Sequence, residues 1–178
     1  MKKISYLFLT VIIIVSLLSG CHSQEVVPND TDEITESKPE ISNEERQRMD
    51  LYIAVMTSAF HEENGGNEFV AVKLDTLDGL SEEAKAEVLE ELSRLSPHVY
   101  SFESIKNDSS KFELDDAGRL IRSVNGTLLW VNVEEYSKDK STITGVSWFG
   151  NLGAVFPKYQ AIFKNGRWQL ELINMAVS

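Results

Sequence analysis

The side chains that could do chemistry in this chain are one thiol, three histidines and 28 carboxylates, and their spacing limits what they can do. Asp75 and Asp78 precede Gly79, with Glu82 and Glu83 just downstream, and calcium takes several such oxygens. The EF-hand spacing fails, because setting Asp78 as the fifth-position ligand puts Leu74 at the first; loop acids before a helix start account for the same residues. His61-Glu62-Glu63 lacks the second histidine of the H-E-x-x-H zinc motif. It reads instead as a cation at a helix C-terminus. His22 and His98 have no partner at ligand or triad spacing, and His98, after Pro97, reads as structural. Gly145-Val146-Ser147-Trp148-Phe149 lacks the closing glycine of a nucleophile elbow, and Gly150-Asn151-Leu152-Gly153 has too few glycines to cradle a phosphate. Glu134 and Glu135 are neighbours on a strand and face opposite ways. No cofactor and no metal is expected.

The most unusual stretch runs from Trp148 to Tyr159, where Trp148, Phe149, Leu152, Val155, Phe156 and Tyr159 surround two glycines and Pro157. Aromatics carried on a loop over a rigid sheet can form a recognition surface. The candidate binding residues are Trp148, Phe149, Asn151, Phe156 and Tyr159. The competing reading is that alternate members of the segment plug the core between two strands.

The single cysteine is the most informative residue. Lys2 and Lys3 precede an apolar run from Ile4 to Leu18, which is the order of a secretory signal. The run is shorter than the ~20 residues a helix needs to cross a bilayer core, and Leu18-Ser19-Gly20-Cys21 closes it. Those four residues resemble, position by position, the lipobox of bacterial lipoproteins. The resemblance implies cleavage after Gly20, a diacylglyceryl thioether on Cys21 and acylation of its new amine. Two or more chains hold stably where one holds marginally, so the expected location is the extracytoplasmic face of the cell membrane. The alternatives are an uncleaved signal anchor, or a secreted protein whose Cys21 is unmodified.

With the leader gone, Lys2 and Lys3 go too, leaving 28 acids against 15 bases and a net charge of −13 with neutral histidines. Such a surface repels phosphate backbones, whose binding depends on Lys and Arg. Nucleic acid is excluded as a partner. Anionic lipid attracts polybasic segments, so the domain is expected to stand off the membrane. With Cys21 lipidated, no thiol remains for a disulfide, a zinc-thiolate site or a nucleophile.

Residues 21–41 are rich in Pro, Ser, Thr, Asn, Asp and Glu without apolar periodicity, which is the composition of an extended tether. A single domain is expected over residues 42–178. Ser42-Asn43-Glu44-Glu45 has capping-box spacing, and Met49, Tyr52, Ile53, Met56, Ala59 and Phe60 recur at helical spacing; Asn64-Gly65-Gly66 ends the helix. Phe69 to Leu74 reads as a strand. Ser81 caps a second helix whose buried face is Ala84, Val88, Leu92 and Leu95, and His98 to Glu103 reads as extended, completing a strand-helix-strand unit. Asp115 to Gly118, Asn125-Gly126 and Asn165-Gly166 are turn signals between strands. The strands are Lys111 to Leu114, Arg119 to Ser123, Thr127 to Tyr136, Ser141 to Phe149, Ala154 to Lys164 and Arg167 to Val177. The apolar parity of the last strand shifts after Leu172, which a bulge near Ile173 or an end buried on both faces would explain.

These elements predict an α+β domain, two amphipathic helices packed on a curved, mostly antiparallel sheet. A helix followed by a long meander resembles the cone-shaped nuclear-transport-factor-2-like superfamily, and Phe163-Lys164-Asn165-Gly166-Arg167-Trp168-Gln169-Leu170 is similar to its closing hairpin. The strand-helix-strand unit departs from that pattern. Lys73 to Ser81, Asn125 to Leu129 and Trp148 to Pro157 resemble segments of small lipoproteins from spore-forming Gram-positive bacteria, a likeness that implies a setting and no activity. The reading is a membrane-anchored binding or interaction module of the cell envelope, its partner an envelope protein or a small molecule. The alternatives are an enzyme with a pocket between helix and sheet, where residues such as His98 and Glu103 would converge, and an assembly subunit using exposed strand edges.

Overall fold

The computed structural model describes residues 40–178; Leu18, Ser19, Gly20, Cys21 and nearly all of the expected tether lie outside them. Helix α1 (Asn43–Glu62) starts where the sequence says it should, with the Ser42 hydroxyl accepting the Glu45 amide at 3.2 Å. Strand β1 (Phe69–Val72) is buried at every position and shorter than expected, because Leu74–Thr76 turn into a 3₁₀ segment. Helix α2 (Glu82–Glu91) is capped by Ser81 and buries Ala84 and Val88, with Leu92 and Leu95 continuing the face. Then come β2 (Val99–Ser101) and a one-turn helix α3 (Phe102–Ile105) capped by Ser101, so Glu103 sits in a helical turn where extended chain was expected.

Strands β3 (Phe112–Leu114) and β4 (Leu120–Ser123) form a hairpin, and β5 (Gly126–Tyr136), β6 (Lys140–Gly150), β7 (Gly153–Lys164) and β8 (Arg167–Val177) form a long meander. The main sheet runs β2-β1-β5-β6-β7-β8, with the β3–β4 hairpin joined to the end of β6 through Arg122 opposite Gly150. The β1–β2 pairing is parallel, as the β-α-β crossover through α2 requires, and β1 is parallel to β5 as well. The remainder is antiparallel. The fold is α+β: two helices packed on a strongly curled six-stranded half-barrel, plus a hairpin.

Two turn signals behave differently. Asn165 and Gly166 both have positive φ, 55° and 75°, and close a two-residue hairpin with Lys164 opposite Arg167. Asn125, also at positive φ, is followed by Gly126, but β4 and β5 do not pair; this turn is a corner that sends β5 alongside β1. Gly126 is required there because a Cβ would lie 2.1 Å from the Phe69 ring.

Helix α1 crosses the concave face of the meander on a diagonal, and one hydrogen bond marks each strand it passes. The Trp168 indole on β8 donates to the Gln47 carbonyl at 2.8 Å, and the Tyr159 hydroxyl on β7 donates to Ser58 Oγ at 2.9 Å. Farther on, the Ser147 hydroxyl on β6 donates to the Glu63 carbonyl at 2.6 Å, and the Gly65 amide donates to Thr127 Oγ1 on β5 at 3.1 Å. Because the sheet curls round the helix, Leu51 and Val55 are buried as completely as the face marked by Tyr52, Met56 and Ala59, a wider burial than helical spacing alone anticipates. Ile41 also packs on this core, so the domain begins one residue inside the expected tether.

The diagonal leaves the far half of β8 uncovered. Trp168 and Leu170 pack on the core, whereas Leu172, Ile173 and Val177 are 48%, 51% and 71% exposed. Lys158 faces Asn174 and Tyr159 faces Leu172, which leaves Ile173 as the extra residue of a bulge. By that bulge Met175 and Val177, opposite Pro157 and Val155, keep the concave face that Trp168, Leu170 and Leu172 occupy before it.

Candidate functional site

The aromatic segment from Trp148 to Tyr159 does not form one surface. It is folded in two at Asn151-Leu152, where Gly150 faces Gly153, and strand alternation divides its members between the two faces of the sheet. Tyr159 is 3% exposed and bonded to Ser58, which makes it part of the concave core; this corrects its placement among the binding residues. Phe149 also points to the concave side. It is half-buried and pinned by two close backbones, since a Cβ on Gly65 would lie 2.2 Å from its Cβ and one on Gly153 2.5 Å from its ring. Asn151 is exposed at the turn, with its amide donating to the Ile121 carbonyl at 3.0 Å, and Leu152 beside it is 94% exposed.

Trp148 and Phe156 lie on the outer face, away from α1, and there the structure adds a residue that sequence reasoning missed. Trp130 on β5 faces Val146 on β6. The register running from Thr144 opposite Lys158 to Ser147 opposite Val155 sets Phe156 on β7 level with Val146. Val146 is therefore flanked across the sheet by Trp130 and Phe156 and along its own strand by Trp148. Val146 is fully buried and Ala154, opposite Trp148, is 2% exposed, while the three aromatics remain half-buried. The signal was available in the even spacing of Trp130 with Leu128, but the partner strand that makes it a neighbour of Phe156 is a matter of register.

Trp130 and Trp148 pack against a second buried cluster of Phe69, Ala71, Phe112 and Leu128, so this end of the outer face is apolar core, and polar side chains begin beyond it. The next row along the outer face holds Asn132, Thr144, Lys158 and Asn174, and Lys158 is already neutralised by Glu134 at 2.6 Å. The Lys73 ammonium stands 4.2 Å from the Trp130 ring centroid and 5.7 Å from that of Phe102, a cation held by aromatic faces. Among the described residues no carboxylate forms an ion pair with it.

The space between α1 and the sheet is filled by Tyr52, Val55, Met56, Leu129, Val131, Ile143 and Tyr159. His98 and Glu103 do not meet there. His98 is exposed and stacks on Tyr100 with centroids 6.2 Å apart, and Glu103 is exposed and paired with Lys106 at 2.6 Å. His61 lies edge-on to Phe60 in the last turn of α1. Around Gly79 it is the Asp78 carbonyl, not its carboxylate, that is used: it accepts the Tyr52 hydroxyl at 2.9 Å and Arg48 at 3.3 Å. Burial pushes the Tyr52 hydroxyl up to about 12, which keeps it a neutral donor. Glu82 pairs with Lys85 at 2.8 Å. Among the described residues no group of three or more His, Cys, Asp or Glu side chains could hold a metal ion, and no helix is long and apolar enough to cross a membrane.

In comparisons with known proteins, no family model, no curated protein and no solved structure matches this chain.

Proposed function

We propose that this chain is a lipid-anchored envelope protein that works as a binding module: Cys21 holds it at the extracytoplasmic face of the cell membrane, residues 21–40 space it from the bilayer, and the α+β domain presents its outer face around Trp148 and Phe156 to a partner. The observation that carries the reading is the sequence Leu18-Ser19-Gly20-Cys21 placed directly after two lysines and an apolar run. A filled interior and an aromatic cluster on the opposite face support binding from outside over chemistry in a pocket. The test is intact mass of the protein extracted from membranes. Wild type is expected to begin at Cys21 and to carry acyl chains, and Cys21→Ser to persist as an unmodified full-length precursor; a full-length N-terminus on wild type defeats the reading.

An assembly subunit is a second reading, and β8 favours it. Among the described residues this strand pairs only with β7, and its last six residues, Leu172 to Val177, have no charged side chain. Charged side chains and proline are the usual protection of such an edge; here only the bulge at Ile173 interrupts it.

A further inference from the structure

We infer that β8 pairs edge to edge with β8 of a second copy of this chain, antiparallel and about a two-fold axis at Met175, an inference that rests on the assembly reading and supplies its partner and register. The two edges of the main sheet are built differently. At one end β2 is three residues long and runs directly into α3, and a very short edge strand offers little to a second chain. At the other end β8 is eleven residues long and pairs, among the described residues, only with β7.

The open edge of β8 has backbone groups to give. The Ser178 amide donates to the Ala154 carbonyl at 3.0 Å, and this bond fixes the phase of the ladder. Asn174, Ala176 and Ser178 turn their amides and carbonyls towards β7, whereas Met175 and Val177 turn theirs away from it. The same stretch is apolar and lies on the half of the strand that α1 leaves uncovered: Val177 is 71% and Ile173 51% exposed.

Symmetry fits a copy of the strand to this edge. Paired residues of an antiparallel ladder share a face, and a two-fold axis perpendicular to the sheet meets that condition when a strand meets itself. With the axis at Met175, Met175 stands opposite Met175, and the two exchange amide and carbonyl. Asn174 then stands opposite Ala176, and Val177 opposite Ile173, which brings the two most exposed large apolar side chains of the strand together.

Charge selects the same partner. In a chain of net charge −11, contact between copies brings like charges together, and like charges directly opposite are destabilising. The run from Leu172 to Val177 has no charged side chain, and Glu171, the nearest charge along the strand, lies before it. A cationic partner gains nothing from such a run. The contact is also closed, because the two-fold consumes both open edges and leaves only the short β2 edges outside. It is small for a specific interface, and two copies held in one membrane through Cys21, as proposed above, meet at a raised effective concentration.

The test places a cysteine at the axis of the full-length protein, solubilised from membranes in detergent, with copper phenanthroline as oxidant. At a hydrogen-bonded antiparallel pair the Cα atoms stand about 5.5 Å apart, within disulfide reach. Met175→Cys is expected to give a disulfide-linked dimer on a non-reducing gel, and Gln169→Cys, exposed near the start of the same strand, to stay single. Val177→Pro removes an amide that faces the open edge and no bond to β7. It is expected to raise the dimer dissociation constant about tenfold in sedimentation, at an unchanged melting temperature. A wild type that is monomeric in the micromolar range overturns the inference and the assembly reading together. An oligomer in which Met175→Cys forms no disulfide, or a dimer unmoved by a folded Val177→Pro, overturns the inference alone, since the copies then meet elsewhere. A monomeric wild type that a photo-crosslinker at Val177 joins to a different protein gives the edge to a foreign strand and overturns it as well.

Discussion

At the scale of single residues, the structure spends its few strong polar contacts on joining elements. Glu45 is the clearest case. Its spacing from Ser42 marks a capping box, but Oε1 accepts the Ser81 amide at 2.5 Å and ties the start of α1 to the cap of α2. The Ser81 hydroxyl and then its amide hold the Glu45 carboxyl below the usual range, with the Ser42 amide adding least. A carboxylate whose pKa is lower folded than unfolded stabilises the fold above its unfolded value of ~4.3, and that gain disappears as pH falls through the folded value. Glu45→Gln is therefore expected to lose about 0.5–1 kcal/mol at pH 7, discounted because the group meets solvent. Chemical denaturation should show the difference between the two proteins shrinking as pH falls from 7 into the acid range; a constant difference would mean that the charge is not responsible. His61 sits in the last turn of α1 and His98 stacks on Tyr100, while His22 lies outside the described residues. Tyr159 was not correctly placed, because whether an aromatic faces core or solvent depends on the parity of a strand whose end, at Gly153, is invisible without its partner.

Elements were legible in the sequence to the extent that their signals were local. Ser42 and Ser81 start the two helices, Asn165-Gly166 closes a hairpin, and the parity shift after Leu172 marked the bulge at Ile173. Asn125-Gly126 carries the same dipeptide as the true hairpin, yet it feeds β5 to β1, a strand more than fifty residues earlier, because the tertiary gain of a buried parallel pair outweighs local pairing with β4. The curl of the sheet around α1 was likewise not local, and it sets a sharp steric limit. A Cβ on Gly145 would lie 2.8 Å from Val55 Cγ1 and 2.9 Å from the Val55 carbonyl oxygen. Gly145→Ala is expected to destabilise the domain by about 1–3 kcal/mol through this overpacking. Gly150→Ala, five residues on in the same strand, meets nothing nearer than the Arg122 Cβ at 3.5 Å and serves as the control. Equal denaturation midpoints for the two variants would show that α1 does not press on β6.

At the scale of the molecule, the two faces of one sheet each carry a core: the concave face is closed by α1, and on the outer face Trp130 and Trp148 pack against a second buried cluster of Phe69, Ala71, Phe112 and Leu128. The free edge of β8 belongs to neither. If it pairs copies, the protein solubilised in detergent is expected to sediment as a dimer, and Leu172→Lys with Val177→Lys to return it to a monomer; a monomeric wild type across the micromolar range removes the assembly reading. The diagonal path of α1 has one more consequence. Its four anchoring contacts join residues separated by 62, 84, 101 and 121 positions along the chain. The first of the described elements thus completes its anchoring contacts only when the last one, β8, is in place, since the Trp168 bond to Gln47 closes the diagonal.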